Sequence, residues 1–142
     1  MSGGRPAAAT WLGCIAVLPF VAGAALVCLA GGELQALAMR ALVAYAAVVA
    51  SFIGAIHWGF AFVQPAPPAR LFAWGVVPAI VAWLSLLTAP AVGLALDASL
   101  LVACYLVDRA VYPWHGAGRW LPLRLRLTVL AAVSCAVGAM AG

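Results

Sequence analysis

Three stretches of this chain carry no formal charge for longer than a bilayer is thick. They run from Arg5 to Glu33, from Arg40 to Arg70 and from Arg70 to Asp97. Their only ionisable side chains are Cys14 and Cys28 in the first and Tyr45 and His57 in the second. A helix needs roughly 20 apolar residues to cross a hydrocarbon core ~30 Å thick. A helix on a water-soluble fold would also show a polar face, and these stretches have none. The chain reads as a multi-pass, all-α membrane protein.

Composition agrees. Hydrophobic residues make up 68% and charged residues 7%, with a mean hydropathy of +1.19, against about half and a quarter in soluble domains. The 142 residues leave room for one membrane domain, and no attached soluble domain is expected. The net charge of +4 comes from arginine alone, since the chain has no lysine. Nucleic-acid binding would need those arginines on one exposed soluble face. Here they suit orientation by inside cations and contact with anionic membrane lipids. Cys14, Cys28, Cys104 and Cys135 all lie in apolar stretches without metal-ligand spacing, as small buried hydrophobes do. The apolar run after Arg5 is about twice a signal h-region, so an uncleaved first helix is expected.

Five transmembrane helices are expected, over residues 10–31, 35–63, 69–88, 91–112 and 121–140. Gly31-Gly32 closes the first, and Gln64-Pro65-Ala66-Pro67-Pro68 stops the second. Pro90 and Pro113 bound the fourth, and Pro122 suits the first turn of the fifth. Pro19 and Pro78 fall inside spans one and three, where they kink helices. Asp97 and Asp108 are only ten residues apart inside their limits, so the fourth span must hold one near an end. Four spans with one interfacial helix is the alternative.

With five spans, Arg5, Arg70, Arg109, Arg119, Arg124 and Arg126 share one face, and Arg40 stands opposite near Glu33 and Asp97. Six against one orients the chain with its N-terminus cytoplasmic and its C-terminus outside. Trp11, Trp74, Trp114 and Trp120 fall near the arginine-rich face, as an aromatic belt would.

His57 leads the residues that could carry chemistry. Ala46, Ala50 and Gly54 form a small-residue series on its face, which lets another helix approach closely and points His57 into the bundle. Ionisable groups inside membranes are costly and often functional. The plain alternative is a neutral imidazole that holds two helices in register. Tyr105, Asp108 and Tyr112 share a helix face. At similar depth stand Arg109, Arg124 and Arg126, and Asp108 is placed to neutralise Arg109 or an arginine of the fifth span. The candidate ligand or packing site is therefore Ser51, Gly54, His57, Trp58, Tyr105, Asp108, Arg109, Arg124 and Arg126. Either it is an ion pair fixing helix orientation, or it is a cytoplasmic-side pocket for the headgroup of a lipid or quinone.

No phosphate-binding glycine loop, His-Glu-x-x-His, Cys-x-x-Cys or serine elbow is present in the sequence. No catalytic residue, metal site or cofactor is expected beyond a bound lipid or quinone. The two halves show no duplication of the inverted-repeat kind.

Leu18-Pro19-Phe20, the run Ser51-Phe52-Ile53-Gly54-Ala55-Ile56-His57-Trp58-Gly59 and Leu123-Arg124-Leu125-Arg126-Leu127-Thr128, with Asp108-Arg109 between, carry a resemblance. In this order they resemble a family of small multi-pass domains of unknown function, shared by proteobacterial proteins and mitochondrial transmembrane protein 69. Ala55 stands where a second glycine is expected. The resemblance implies a helical bundle in an inner membrane and supplies no reaction. The first functional expectation is a non-enzymatic accessory subunit or assembly factor of a larger membrane complex in the bacterial inner membrane. The second is a lipid- or quinone-binding membrane protein, and the third a small transporter.

Overall fold

The structure, a computed structural model, describes residues 7–142. Arg5 lies outside them. Five helices follow one another: α1 (Ala7–Leu29), α2 (Gly32–Phe62), α3 (Ala69–Leu86), α4 (Pro90–Val111) and α5 (Leu121–Ala141). All five are long and apolar enough to cross a membrane, and no strand occurs among the described residues. α5 packs along α1 and α4 as a full member of the bundle and is itself long and apolar enough to span.

The ends follow local chemistry. α1 starts three residues before the expected limit and stops at Leu29, two residues before the glycine pair. Gly32 takes φ +58°, which only glycine adopts without strain, so the chain reverses there and α2 begins at once. Glu33 stands in the first turn of α2, where the helix dipole favours an anion. Pro68 precedes α3, while Pro90 and Pro122 occupy first turns that need no backbone N–H from them.

α2 is the hub: it packs against each of the other four helices. Its buried stripe runs through Leu42, Val43, Ala46, Ala47, Ala50, Ile53, Gly54 and His57 to Ala61. A Cβ at Gly54 would come within 2.9 Å of the Gly75 carbonyl oxygen and 3.0 Å of Pro78 Cγ. The small-residue series therefore brings α2 and α3 together backbone to backbone, within this one chain. Tyr45 donates its hydroxyl hydrogen to the Ala16 carbonyl (2.8 Å), in the turn that Pro19 interrupts. Gln35 Nε2 donates to the carbonyls of Val27 (3.0 Å) and Ala141 (3.1 Å), joining three helices at the end opposite the arginines. Leu18, Leu26, Ile80, Val102, Leu106 and Val133 point outward, an apolar exterior suited to lipid.

Candidate functional site

The site begins with how α4 ends. Pro113 stops the helix, and two short 3-10 turns (Tyr112–His115 and Gly118–Trp120) reverse the chain. Gly116 takes φ +69° between them, a left-handed conformation open to glycine. The reversal sets Arg124 of α5 opposite Asp108 of α4, sixteen residues earlier.

Asp108 is fully buried, and its two oxygens face different partners. Oδ2 accepts from Arg124 Nε (2.9 Å) and from the Nη2 nitrogen of the same guanidinium (2.5 Å). Oδ1 turns to the fully buried His57, 3.6 Å from Nε2. Arg124 also donates from Nη1 to Thr128 Oγ1 (3.2 Å), one turn along α5. Three helices thus meet in one line, imidazole to carboxylate to guanidinium to hydroxyl. Of the five N–H groups on Arg124, two remain without an assigned partner in this geometry. Because Asp108 neutralises it, the arginine offers hydrogen bonds without a net positive field. That favours a neutral acceptor such as a carbonyl over a free anion.

Aromatic rings enclose His57. Phe60, Trp74 and Tyr112 have ring centroids 6.1, 6.5 and 6.4 Å away. Phe60 in turn stacks on His115 at 4.8 Å. His115 Nδ1 pairs with the Val111 carbonyl (3.0 Å) and its Nε2 with Gln64 Nε2 (3.0 Å), so the two loops at the arginine-rich end hold each other.

Arg124 also lines two apolar crevices. The larger, about 420 Å³, lies between α1, α2 and α5, with Gly13, Phe20, Ile53, Leu101 and Thr128 among its walls. The second, about 400 Å³, runs toward the arginine-rich end past Phe60, Tyr112 and Trp120. Ala9, Phe52, Ile56, Arg124 and Leu127 belong to both. Together they form one long apolar groove with a hydrogen-bonding guanidinium beside it.

Of the residues singled out from sequence, His57, Asp108 and Arg124 come together and the others do not. Ser51 donates to the Ala47 carbonyl of its own helix (2.8 Å). Gly54 serves the contact with α3. Trp58 turns outward, 38% exposed, and its indole N–H donates to the Phe72 carbonyl (2.9 Å). Arg109 and Arg126 are exposed, and Tyr105 is half-buried with no side-chain hydrogen bond. Asp108 is neutralised by Arg124, not by its neighbour Arg109, because adjacent helical residues point about 100° apart.

Two residues depart from expectation. Trp74 does not join an interfacial belt: its indole nitrogen is buried beside His57 with no hydrogen-bond partner. Asp97, placed by sequence toward the end that carries Arg40, does not lie at the edge of its span. It is fully buried two turns inside α4, and neither oxygen has a partner. The nearby Ser85 hydroxyl donates instead to the Ala82 carbonyl (2.7 Å). The signal for Asp97 was its seven-residue distance from Pro90, which fixes the helix start. All four cysteines are free, and among the described residues no three acidic, histidine or cysteine side chains are placed to hold a metal.

Transmembrane protein 69 of Xenopus tropicalis is 39% identical to this chain over 85 residues, covering 58% of this chain. The chain spans only about a third of that relative's length (33%). No solved structure matches. The model of the family described as Protein of unknown function (DUF3429) matches residues 5–140, nearly the whole chain, and to that family it belongs.

Proposed function

We propose that this protein binds a membrane amphiphile, a lipid or a quinone, in the groove between α1, α2 and α5. Arg124 would give the hydrogen bonds. The observation that carries this reading is Arg124 itself. It is fixed by Asp108 and Thr128 and lines both crevices of an otherwise apolar groove. Cavities of this size and polarity are typical of small-molecule sites. A bacterial inner membrane is the proposed setting, and the arginine distribution supports an orientation with the N-terminus cytoplasmic. Arg70, Arg109, Arg119, Arg124 and Arg126 all lie at one end of the bundle.

The accessory-subunit or assembly role, the first expectation from sequence, becomes the second reading. An outside partner could use a small-residue face for close approach, but Ala46, Ala50 and Gly54 are buried inside the bundle. This weakens it relative to ligand binding.

The test is solvent extraction of protein purified in mild detergent, with mass spectrometry of what is released. A near-stoichiometric lipid or quinone is expected. Ala9→Trp, which plugs the groove where its two crevices join, should strip it while the bundle keeps its melting temperature. Equal retention by wild type and Ala9→Trp would sink the proposal. Heterologous protein subunits in place of a ligand would favour the second reading.

A further inference from the structure

A separate crevice, about 360 Å³, opens between α2, α3 and α4, on the side of His57 away from α1. Leu71, Val77, Val107 and Val111 form aliphatic walls, and exposed Arg70 stands at its rim. His57 and Trp74 line it, their rings 6.5 Å apart and steeply inclined at 74°. The Trp74 indole nitrogen is buried without a hydrogen-bond partner; so are both ring nitrogens of His57, although its Nε2 faces Asp108 Oδ1 at 3.6 Å.

Unpartnered buried polar groups are rare because each costs about 1–3 kcal/mol. An indole N–H can only donate, and a neutral imidazole offers one donor and one acceptor. The missing partner of Trp74 must therefore be an acceptor atom. Arg70, the cation that lines the crevice, is exposed at its rim, so the buried end beside the Trp74 nitrogen and His57 offers no arginine to compensate a phosphate or carboxylate brought out of water. The walls suit a molecule that already resides in the hydrocarbon. An acceptor oxygen on a neutral, lipid-soluble ring meets all three conditions.

We infer that the His57–Trp74 crevice is a second binding site, for the carbonyl-bearing ring of a quinone, with Trp74 Nε1–H donating to the carbonyl oxygen. The ring enters between α3 and α4, and its isoprenoid tail lies along Val77 and Val107. This site shares no lining residue with the groove beside Arg124, so the two stand or fall separately.

The experiment uses the full chain in lipid nanodiscs, an azido-ubiquinone photolabel and decylubiquinone as competitor, with labelled peptides mapped by mass spectrometry. Saturable labelling of the α3 peptide carrying Trp74 and Val77, competed by decylubiquinone, is expected. Trp74→Phe keeps the ring and removes the donor, and should weaken competition roughly three- to tenfold. Val77→Trp should abolish labelling of that α3 peptide, while Gly59→Ala, in open space and outside either crevice, should leave it unchanged. Labelling that is not saturable, that maps to α1 and α5 only, or that is indifferent to Trp74→Phe overturns the inference. Loss of groove lipid in Ala9→Trp with no quinone labelling anywhere would overturn this site and leave the first one standing.

Discussion

Asp108 Oδ2 accepts two hydrogen bonds from Arg124, from Nε at 2.9 Å and from Nη2 at 2.5 Å, while Asp108 itself is wholly buried. Both bonds end on one oxygen, so this charge-assisted contact tethers α5 to α4 at a single buried point. It also makes each residue the reason the other is tolerated inside the bundle.

Removing the carboxylate alone should therefore be expensive. Asp108→Asn leaves the guanidinium without its counter-charge and is expected to cost roughly 3–5 kcal/mol. In detergent this reads as a clear drop in melting temperature. Arg109→Gln and Arg126→Gln, at exposed positions, should stay within about 0.5 kcal/mol of wild type. A double change, Asp108→Asn with Arg124→Gln, should recover part of the loss. If Asp108→Asn melts like wild type, the pair contributes nothing to the fold.

Asp97 predicts the opposite sign. Its oxygens have no partner, so Asp97→Asn should cost less than Asp108→Asn, and the isosteric swap to Leu should be neutral or stabilising. The same thermal assay decides. A loss for Asp97→Leu as large as that for Asp108→Asn would mean that the carboxyl is held by something this geometry does not show.

Close approach of α2 to α3 gives a third test. Gly54→Val places a side chain against the Gly75 carbonyl and Pro78, and should cost about 1–3 kcal/mol by forcing the helices apart. A Cβ at Gly59 would meet nothing within 4 Å, so Gly59→Ala should leave stability unchanged or slightly raised. Equal effects at the two glycines would contradict the packing described.

Orientation can be measured directly. In a cysteine-free background, Ser2→Cys and Gly142→Cys should be labelled by an impermeant maleimide from opposite sides of the membrane, the second from outside. Labelling of both from one side would remove the basis for a cytoplasmic arginine-rich end.

The five helices were legible because charge-free runs and prolines leave so few places to turn. The proximity of His57, Asp108 and Arg124 was half legible: each sits near the same end of its span, and depth alone groups them with Arg109 and Arg126. What depth cannot supply is azimuth. Rotation about each helix axis decided that Trp58 faces outward and Trp74 inward, and that Ser51 bonds back to its own helix. Asp97 was missed for another reason. Positional bookkeeping treats a carboxylate as a marker of the interface, and this one is enclosed by packing.

α2 has one property with wider reach. Its 31 residues make a rod about 46 Å long, half again the ~30 Å thickness of the oily layer it crosses. Such a rod must lean or stand proud at one surface. The Arg124 groove and the His57–Trp74 crevice both flank it, and His57 rides five residues from its far end. A change in the lean of the bundle therefore raises or lowers the imidazole, and the crevice mouths with it, relative to the headgroups.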